Sequence, residues 1–306
     1  MKKRFLFWLA MLAVLCTFTG CQSKLPTVED TFSTAVSWGN YLAAEQGEYL
    51  AMRGEKDGKP GLILYHKPGQ KAYFLLEGDV YQIGLLGNRV FYKIRETNDL
   101  HCFTLSTRED ALLEEDVYAY QVHGNTLYFI KKERGNYYYT IDLQTGTKGT
   151  VETGYTVDSL YLTDYGFYYY DDGRDLLMVR PADNNLDRIV YKGNSETVRD
   201  VISLGGADIA FLATNDNTGV VTLISYKASE NKTTEHLSGS FTHFNVAKGH
   251  AVVIENQTIY AVDAANKKTY TWGSVDSFEN IEIMSDCVIL YNGNKAGIQY
   301  YPETEE

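Results

Sequence analysis

The stretch YAYQVHGNTLYFIKKERGNYYYTIDLQTGTKGTVET, residues 118 to 153, contains one complete structural unit of this chain. It divides into four short segments rich in tyrosine, threonine and branched residues: YAYQVHG, TLYFIKK, YYYTIDL and GTVET. Gly124 with Asn125, Gly135 with Asn136, and Gly146 separate the segments and supply the backbone freedom that tight hairpins need. The stretch therefore predicts a four-stranded antiparallel sheet.

Similar units recur about every 40 residues along the chain. Each contains a small or turn residue followed by three apolar or aromatic residues, and seven such phrases start at Gly47, Asn88, Asn125, Tyr165, Ala207, His250 and Asp286. A period of this length without helical periodicity is typical of the blades of a β-propeller. The sequence thus predicts an all-β fold, a seven-bladed β-propeller of four-stranded antiparallel blades, over residues 31 to 306.

The seventh unit stops after three predicted strands, so its fourth strand has to come from another part of the chain. TFSTAV, residues 31 to 36, precedes the first unit and has the composition of a strand. We expect this N-terminal strand to complete the last blade, which would leave no open sheet edge between the first and last blades. An unstructured tether is the alternative for the same segment.

The first 21 residues, MKKRFLFWLAMLAVLCTFTGC, have the layout of an export signal, with a basic start, an apolar run and small residues before Cys21. The segment resembles the lipobox of bacterial lipoproteins, although Phe18 stands where that family usually has an aliphatic residue. The resemblance implies a signal peptide over residues 1–20, lipid attached to Cys21, and a lipidated tether over 21–30. A retained membrane helix is disfavoured because the apolar run is shorter than the ~20 residues that a bilayer span needs.

The unit at residues 118 to 153, which is the third repeat, and one later stretch also resemble known propeller families. GNTLYF and YTIDLQTG are similar to repeats of the exported DUF5050 family and of the related YWTD propellers. IYAVDAANKKTYTW, residues 259 to 272, resembles a quinoprotein-type propeller repeat. These resemblances imply the fold and carry no functional residue.

The charge of the chain limits its partners. The formal net charge is -12, and removing Lys2, Lys3 and Arg4 with the signal leaves -15. Such a surface disfavours nucleic acid and anionic lipid as partners of the folded part. We therefore expect attachment to the bacterial cell membrane through the lipid anchor, facing outside the cytoplasm, with an envelope protein or an extracellular ligand as partner.

No catalytic motif is present in the sequence. It contains no G-x-S-x-G, H-E-x-x-H, glycine-rich phosphate loop or C-x-x-C, and its six histidines lack metal-ligand spacing. The acidic loops DDGRD (171 to 175) and NDNTG (215 to 219) do not match the calcium-loop pattern. After loss of Cys16 and acylation of Cys21, Cys102 and Cys287 are expected to be buried free thiols. The sequence therefore predicts no cofactor, no metal and no enzyme activity.

One set of residues is a candidate ligand-binding rim. Counting seven residues back from each repeat anchor reaches the start of each innermost strand, and all seven positions are polar or tyrosyl: Asn40, Tyr81, Tyr118, Asp158, Asp200, His243 and Glu279. Positions two and four residues further along are mainly apolar, which is the pattern of a shallow funnel with a sealed floor. Trp38 and Arg199 would add an aromatic face and a cation. Ordinary solvent exposure of strand starts is the alternative interpretation.

Three functions are compatible with this pattern. The first is a lipid-anchored, non-enzymatic binding or protein-interaction platform at the bacterial cell envelope. The second is a carbohydrate-active enzyme, a lyase or glycoside hydrolase, that uses Asp158, Asp200, His243 or Glu279 at the channel mouth. The third is a domain that senses a ligand and reports to a membrane partner.

Overall fold

The computed structural model describes residues 25–28, 41–133, 135–163, 165–183 and 186–301. Within these ranges the chain forms 27 strands, in seven antiparallel sheets, and no helix. Six sheets have four strands and the last has three. The predicted seven-bladed β-propeller is confirmed, and the sheets are numbered here as blades 1 to 7 in chain order.

The strands follow one another along the chain without crossovers. Blades 1 to 4 comprise β1 to β16: β1 (Ala43–Gln46), β2 (Tyr49–Lys56), β3 (Lys59–His66), β4 (Lys71–Glu77); β5 (Val80–Leu86), β6 (Arg89–Ile94), β7 (Leu100–Thr104), β8 (Glu109–Glu114); β9 (Val117–His123), β10 (Thr126–Lys131), β11 (Tyr137–Asp142), β12 (Lys148–Glu152); β13 (Ser159–Leu162), β14 (Gly166–Asp171), β15 (Leu176–Pro181), β16 (Arg188–Lys192). Blades 5 to 7 comprise β17 to β27: β17 (Glu196–Gly205), β18 (Asp208–Asn215), β19 (Val221–Lys227), β20 (Lys232–Gly239); β21 (His243–Ala247), β22 (His250–Glu255), β23 (Thr258–Asp263), β24 (Lys268–Ser274); β25 (Asn280–Ile283), β26 (Cys287–Asn292), β27 (Lys295–Tyr300).

The seven repeat anchors lie in, or directly after, the turn between the first and second strands of each blade. In blade 3 this turn is Gly124 and Asn125, and Gly124 has a φ of +56°. The first strands of successive blades contact one another from β1 to β25. They are therefore the innermost strands and surround the central channel.

The core consists of seven apolar clusters, one at each interface between neighbouring blades. Alternation along a strand decides which interface a side chain joins. In β22, Ala251 and Val253 pack toward blade 5, whereas Val252 and Ile254 pack toward blade 7. The tyrosine-rich β14 behaves in the same way, so its three tyrosines are core residues.

Side chains join blade 7 to blade 1. Glu282 accepts a hydrogen bond from the Leu42 N–H at 2.7 Å, and the Tyr291 hydroxyl donates to the Leu42 carbonyl at 3.0 Å. Lys67 bonds Glu45 and lies 3.1 Å from Asp286. The ring is thus closed by contacts from several strands. The predicted closing strand, residues 31 to 36, lies outside the described residues.

The N-terminal region is described only at residues 25–28. Leu25 and Val28 fall inside the predicted tether and are buried in the apolar cluster between blades 1 and 2. The predicted signal peptide and Cys21 lie outside the described residues. Cys102 and Cys287 are both buried and free, as expected. None of the secondary structure in the described ranges is a helix that could cross a bilayer.

Candidate ligand-binding site at the channel mouth

A cavity of about 540 Å³ opens beside the first strands of blades 2 to 5. Four of the seven predicted rim residues line it, one from each of these blades: Tyr81, Tyr118, Asp158 and Asp200. Arg199, the expected cation, lines it as well. Asn40 and Trp38 lie outside the described residues, and His243 and Glu279 are not part of the cavity wall. Among the described residues, the predicted ring therefore contributes four side chains to a cavity next to blades 2 to 5.

His243 and Glu279 instead bond to neighbouring chain segments. The His243 ring lies 3.0 Å from the Asn280 Oδ1 atom and 2.8 Å from the Thr242 hydroxyl. Burial lowers the pKa of His243, and the charge of Arg199 acts in the same direction, although the Asn280 contact opposes them. Glu279 accepts a hydrogen bond from the Gly293 N–H at 2.8 Å. Both side chains therefore support local structure in blades 6 and 7.

Two β-bulges shape the wall of the cavity. They lie in β5 and β17, where Gln82 and Asp200 adopt left-handed φ values of +45° and +55°. A bulge places two residues opposite one and turns the side chain of the extra residue. Side chains that regular alternation would send to a blade interface thereby reach the channel.

The bulges also explain a shift of one residue in the predicted rim. β17 has a second irregularity between Ser203 and Gly205, near its turn. Counting seven residues back from each repeat anchor therefore places Asp200 of blade 5 at the position equivalent to Tyr81 of blade 2. The strand pairing instead aligns Arg199 with Tyr81, and Asp200 with the bulged Gln82.

Lys93 is a cavity residue that the sequence reasoning missed. It lies near the end of β6 with a side chain only 1% exposed in the folded chain. Its Nζ atom donates to the Tyr118 carbonyl at 2.9 Å and lies 4.9 Å from the centre of the Tyr81 ring. No carboxylate of the described chain is within ion-pair distance. Burial lowers the pKa of Lys93 to about 8, although Asp116 acts in the opposite direction.

Strand alternation is the signal that would have found Lys93. In β6, Val90 and Tyr92 pack toward blade 1, and Phe91 packs toward blade 3. Lys93 follows Phe91 by two residues and therefore lies on the same, buried side. A lysine on a buried side of a strand is unusual enough to mark a candidate site.

Arg199 and Asp200 form a charged pair at the opposite wall. The Arg199 Nε atom lies 3.8 Å from the Asp200 carboxylate, and its Nη2 atom donates to the Phe241 carbonyl at 3.1 Å. The Asp200 N–H donates to the Tyr161 hydroxyl at 3.2 Å. Burial raises the pKa of Asp200, and Arg199 opposes the shift. These contacts hold the pair in place and leave part of the Asp200 side chain, 26%, exposed.

The remaining lining residues offer hydrogen-bonding atoms and an aromatic surface. Gln82 is 7% exposed, and its Oε1 atom is buried without a hydrogen-bond partner in the described chain. Tyr118 is 44% exposed at the rim. The Asp158 carboxylate accepts from the Asp172 N–H at 3.1 Å. The cavity thus combines a buried cation, a buried acceptor, two carboxyl groups and an exposed ring.

On the other side of the channel, next to blades 6, 7 and 1, side chains of the described residues form hydrogen bonds between blades. Tyr41 donates to the Phe244 carbonyl at 3.3 Å, and Asn245 donates to the Ile283 carbonyl at 2.8 Å. Glu282 is 3% exposed, and its burial raises its pKa well above the ordinary value; the bond from Leu42 opposes this shift. These groups connect neighbouring blades.

Two further features help to define the site. A second cavity, of about 630 Å³, lies between blades 1 and 7 and is lined mainly by Met52, Ile63, Tyr65, Ala296, Ile298 and Tyr300, together with the half-buried Glu55 and the exposed Lys295. It contains no buried ionisable side chain. In the described ranges, no three His, Cys, Asp or Glu side chains are grouped closely enough to hold a metal ion. The channel-mouth cavity is therefore the candidate site.

No family model matches the chain, and none of the curated proteins is detectably similar. Several solved structures share its fold. An oligogalacturonate lyase in complex with manganese is 14% identical, with a TM-score of 0.61, and the match covers 92% of this chain and 99% of that one. The propeller domain of the Trilobed protease from Pyrococcus furiosus, described as having an open velcro topology, is 9% identical, with a TM-score of 0.62 and coverage of 88% and 95%.

A third similar structure is the extracellular domain of a putative one-component system from B. thetaiotaomicron. It is 12% identical, with a TM-score of 0.60, and the match covers 90% of this chain but 40% of that one. These proteins include an enzyme and a sensor domain. At such low identity the likeness shows the β-propeller fold alone.

Proposed function

We propose that this protein is a lipid-anchored, non-enzymatic binding protein of the bacterial cell envelope, with its ligand site in the channel-mouth cavity. The observation that carries this proposal is that the buried Lys93 and the unpartnered Gln82 Oε1 atom belong to residues that line the same cavity. Burying a charge or an unpaired acceptor costs free energy in the empty protein. A bound polar ligand would offset that cost.

The state of the two carboxyl groups favours binding over catalysis. Asp158 is held by the Asp172 N–H, and Asp200 is paired with Arg199. A hydrolase would need one carboxyl group kept as an acid and the other available as a base or nucleophile. In this cavity both groups already serve local structure.

The proposed anchor would hold the propeller close to the membrane. Leu25 is buried between blades 1 and 2. A chain of four residues from Cys21 to Leu25 spans at most about 14 Å. With acyl chains on Cys21, the side of the propeller at blades 1 and 2 would therefore stay near the bilayer surface.

The anchor can be tested in cells with Cys21→Ser. We expect the wild-type protein to incorporate radiolabelled palmitate and to partition with membranes, and the variant to lose both properties. Palmitate incorporation that survives in the variant would rule out Cys21 as the lipidated residue.

The binding role can be tested with two exposed tyrosines. Tyr118 at the rim and Tyr270 on the outer strand of blade 6 are 44% and 41% exposed. Partners and ligands would be captured from native membranes with the wild type, with Tyr118→Ala and with Tyr270→Ala. Loss of one specific partner or ligand only in Tyr118→Ala is expected. An identical capture profile for all three proteins would contradict the proposal.

A carbohydrate-active enzyme is the second candidate, because Asp158 and Asp200 line the same cavity. Glycosidase chemistry requires two carboxyl groups about 5 to 10 Å apart. Glu279 does not contribute, because it bonds the Gly293 turn. A panel of oligosaccharides incubated with wild type, Asp158→Asn and Asp200→Asn decides between the functions: turnover by the wild type that both variants lose would establish the enzyme and overturn the non-enzymatic proposal.

A further inference from the structure

We infer that the ligand of the channel-mouth cavity is a sugar acid, a hydroxylated ring with one carboxylate, whose carboxylate binds at Lys93 and whose ring lies against Tyr118. This inference rests on the proposed function and names the ligand class for that site. It combines three independent features of the cavity: an uncompensated cation, an unpartnered acceptor and an exposed aromatic face.

The carboxylate is inferred from the surroundings of Lys93. Lysine side chains are almost never fully buried unless they are paired with an anion. In the described chain Lys93 has the Tyr118 carbonyl and the Tyr81 ring as neighbours, and neither carries a full negative charge. An ammonium group has three donors, and the Tyr118 carbonyl uses one of them. A ligand carboxylate entering the cavity would supply the missing charge.

The second cation of the cavity, unlike Lys93, has an acidic neighbour at ion-pair distance. Arg199 is next to Asp200, 3.8 Å away, and also bonds the Phe241 carbonyl. Asp158, the other carboxylate in the wall, accepts the Asp172 N–H. Lys93 is therefore the lining cation that lacks an acidic neighbour at ion-pair distance in the described part of the chain.

The hydroxyl groups are inferred from Gln82. Its Oε1 atom is a buried acceptor without a partner in the described residues. A carboxylate has no proton to donate, so it cannot satisfy this atom. A hydroxyl group can do so, and the exposed part of the Asp200 side chain is a second acceptor for such a group. One ligand that satisfies Lys93 and Gln82 together must carry both an anionic group and a donor.

The ring is inferred from Tyr118. Its side chain is 44% exposed, although its backbone carbonyl is tied to Lys93. An exposed aromatic ring held on a strand provides an apolar surface next to the ammonium. The carbon-bound hydrogens of a pyranose can pack on such a surface while its hydroxyls point to the polar walls. The cavity volume of about 540 Å³ is within the range of small-molecule sites.

The test uses D-glucuronate and D-glucose, which differ only in a carboxylate against a hydroxymethyl group. Binding to the detergent-solubilised full-length protein would be measured by calorimetry at pH 7 and constant ionic strength. We expect D-glucuronate to bind at least tenfold more tightly than D-glucose. Lys93→Met should remove that difference, and Lys131→Met, which deletes a lysine paired with Glu114 outside the cavity, should preserve it.

Ligand-induced shifts of the unfolding temperature provide the folding control. Lys93→Met should still unfold cooperatively but lose the shift that D-glucuronate gives the wild type. Equal binding of both sugars, or full D-glucuronate binding by Lys93→Met, would overturn the inference.

Failure of the inference is distinguishable from failure of the proposed function. If neither sugar binds but Tyr118→Ala still loses a captured partner or ligand, the sugar acid is wrong and the binding role stands. If neither sugar binds and the capture profile is unchanged, both are wrong.

Discussion

The two sides of the central channel use similar residues for different purposes. On the closed side, next to blades 6, 7 and 1, polar groups such as Glu282, Asn245 and Tyr291 bond the backbone of a neighbouring blade. On the open side, next to blades 2 to 5, Lys93 and the unpartnered Gln82 Oε1 atom line a cavity. Glu282 also has one buried oxygen, Oε2, without a hydrogen-bond partner in the described residues. The contacts that join the two ends of the chain thus lie on the closed side, and the proposed ligand site lies on the open side.

This division has a physical basis. The last blade has three strands among the described residues, so its interface with blade 1 depends on side-chain contacts. Polar contacts there add to the apolar cluster that packs between blades 7 and 1, and so help to join the two ends of the chain. Blades 2 to 5 follow one another along the chain, and apolar clusters already hold them together. Their channel-facing polar groups are therefore not needed for closure.

The largest expected effect separates the two sides by stability. Tyr291 is 1% exposed and bonds the Leu42 carbonyl across the closure. Tyr291→Ala should lower the free energy of unfolding by about 3 to 5 kcal/mol, because it leaves a cavity and an unpaired carbonyl. Tyr118→Ala on the open side should change it by less than about 0.5 kcal/mol. Urea denaturation measures both values, and similar losses in the two variants would remove the distinction.

The next effect concerns the ionic part of the closure. Lys67 is 10% exposed and bridges Glu45 and Asp286. Lys67→Met should cost about 2 kcal/mol, less than a fully buried pair, because Asp286 is 43% exposed. Lys59→Met breaks the exposed Lys59–Glu77 pair and should cost about 0.5 kcal/mol or less. The free energy of unfolding of both variants would be measured by thermal and urea unfolding. If Lys67→Met costs no more than Lys59→Met, the bridge does not stabilise the ring.

On the open side, removal of a charge should increase the free energy of unfolding, whereas the substitutions at the closure lower it. Lys93→Met should raise the free energy of unfolding at pH 7 by about 1 to 2 kcal/mol, because it removes a desolvated charge and retains the packing volume. A loss of stability in urea denaturation would instead show that Lys93 is structural.

The pH dependence of stability in the wild type and in Lys93→Met tests the same prediction further. The folded protein releases the Lys93 proton near pH 8, whereas the unfolded chain keeps it until about pH 10.4. Between these values the unfolded state binds more protons, so the wild type gains stability as the pH rises. The advantage of Lys93→Met should therefore shrink from pH 8 to pH 10, and comparison of the two proteins cancels the ionisation of the tyrosines.

A last, pH-dependent effect is expected at Glu282. Its pKa is raised by burial, so the folded protein keeps a proton that the unfolded chain loses above about pH 4.3. This contribution to stability is complete at lower pH and is lost as the pH rises. Glu282→Gln imitates the protonated form, so it should match the wild type within about 1 kcal/mol at pH 4 and become relatively more stable at pH 7. A constant difference across this range would contradict a protonated Glu282.

Much of the fold could be predicted from local patterns. The turn phrase at each repeat, such as Gly124 with Asn125, is decided by backbone conformation within a few residues. Alternation within strands assigns side chains to one interface or the other, as in β14 and β22. Both signals are local, which is why the number of blades and the free buried thiols Cys102 and Cys287 were predicted correctly.

The candidate site was predicted only in part. Tyr81, Tyr118, Asp158 and Asp200 share a cavity as expected of rim residues, whereas His243 and Glu279 do not join them. A count from the turn assumes regular pairing, and the second irregularity in β17 shifts that count by one residue. Lys93 was missed because it lies in β6, the second strand of blade 2, whereas the predicted rim was drawn from the innermost strands alone.

The sequence by itself determined the repeat, the strands, the antiparallel blades and their number, because each follows from the spacing of turn and apolar residues along a short segment. Only the tertiary structure decided that a cavity lies next to blades 2 to 5, that Lys93 is buried beside Tyr118, and that Glu282 joins the last blade to the first. These features depend on bulges and on side chains from blades far apart in sequence, whose distances are set when the ring closes.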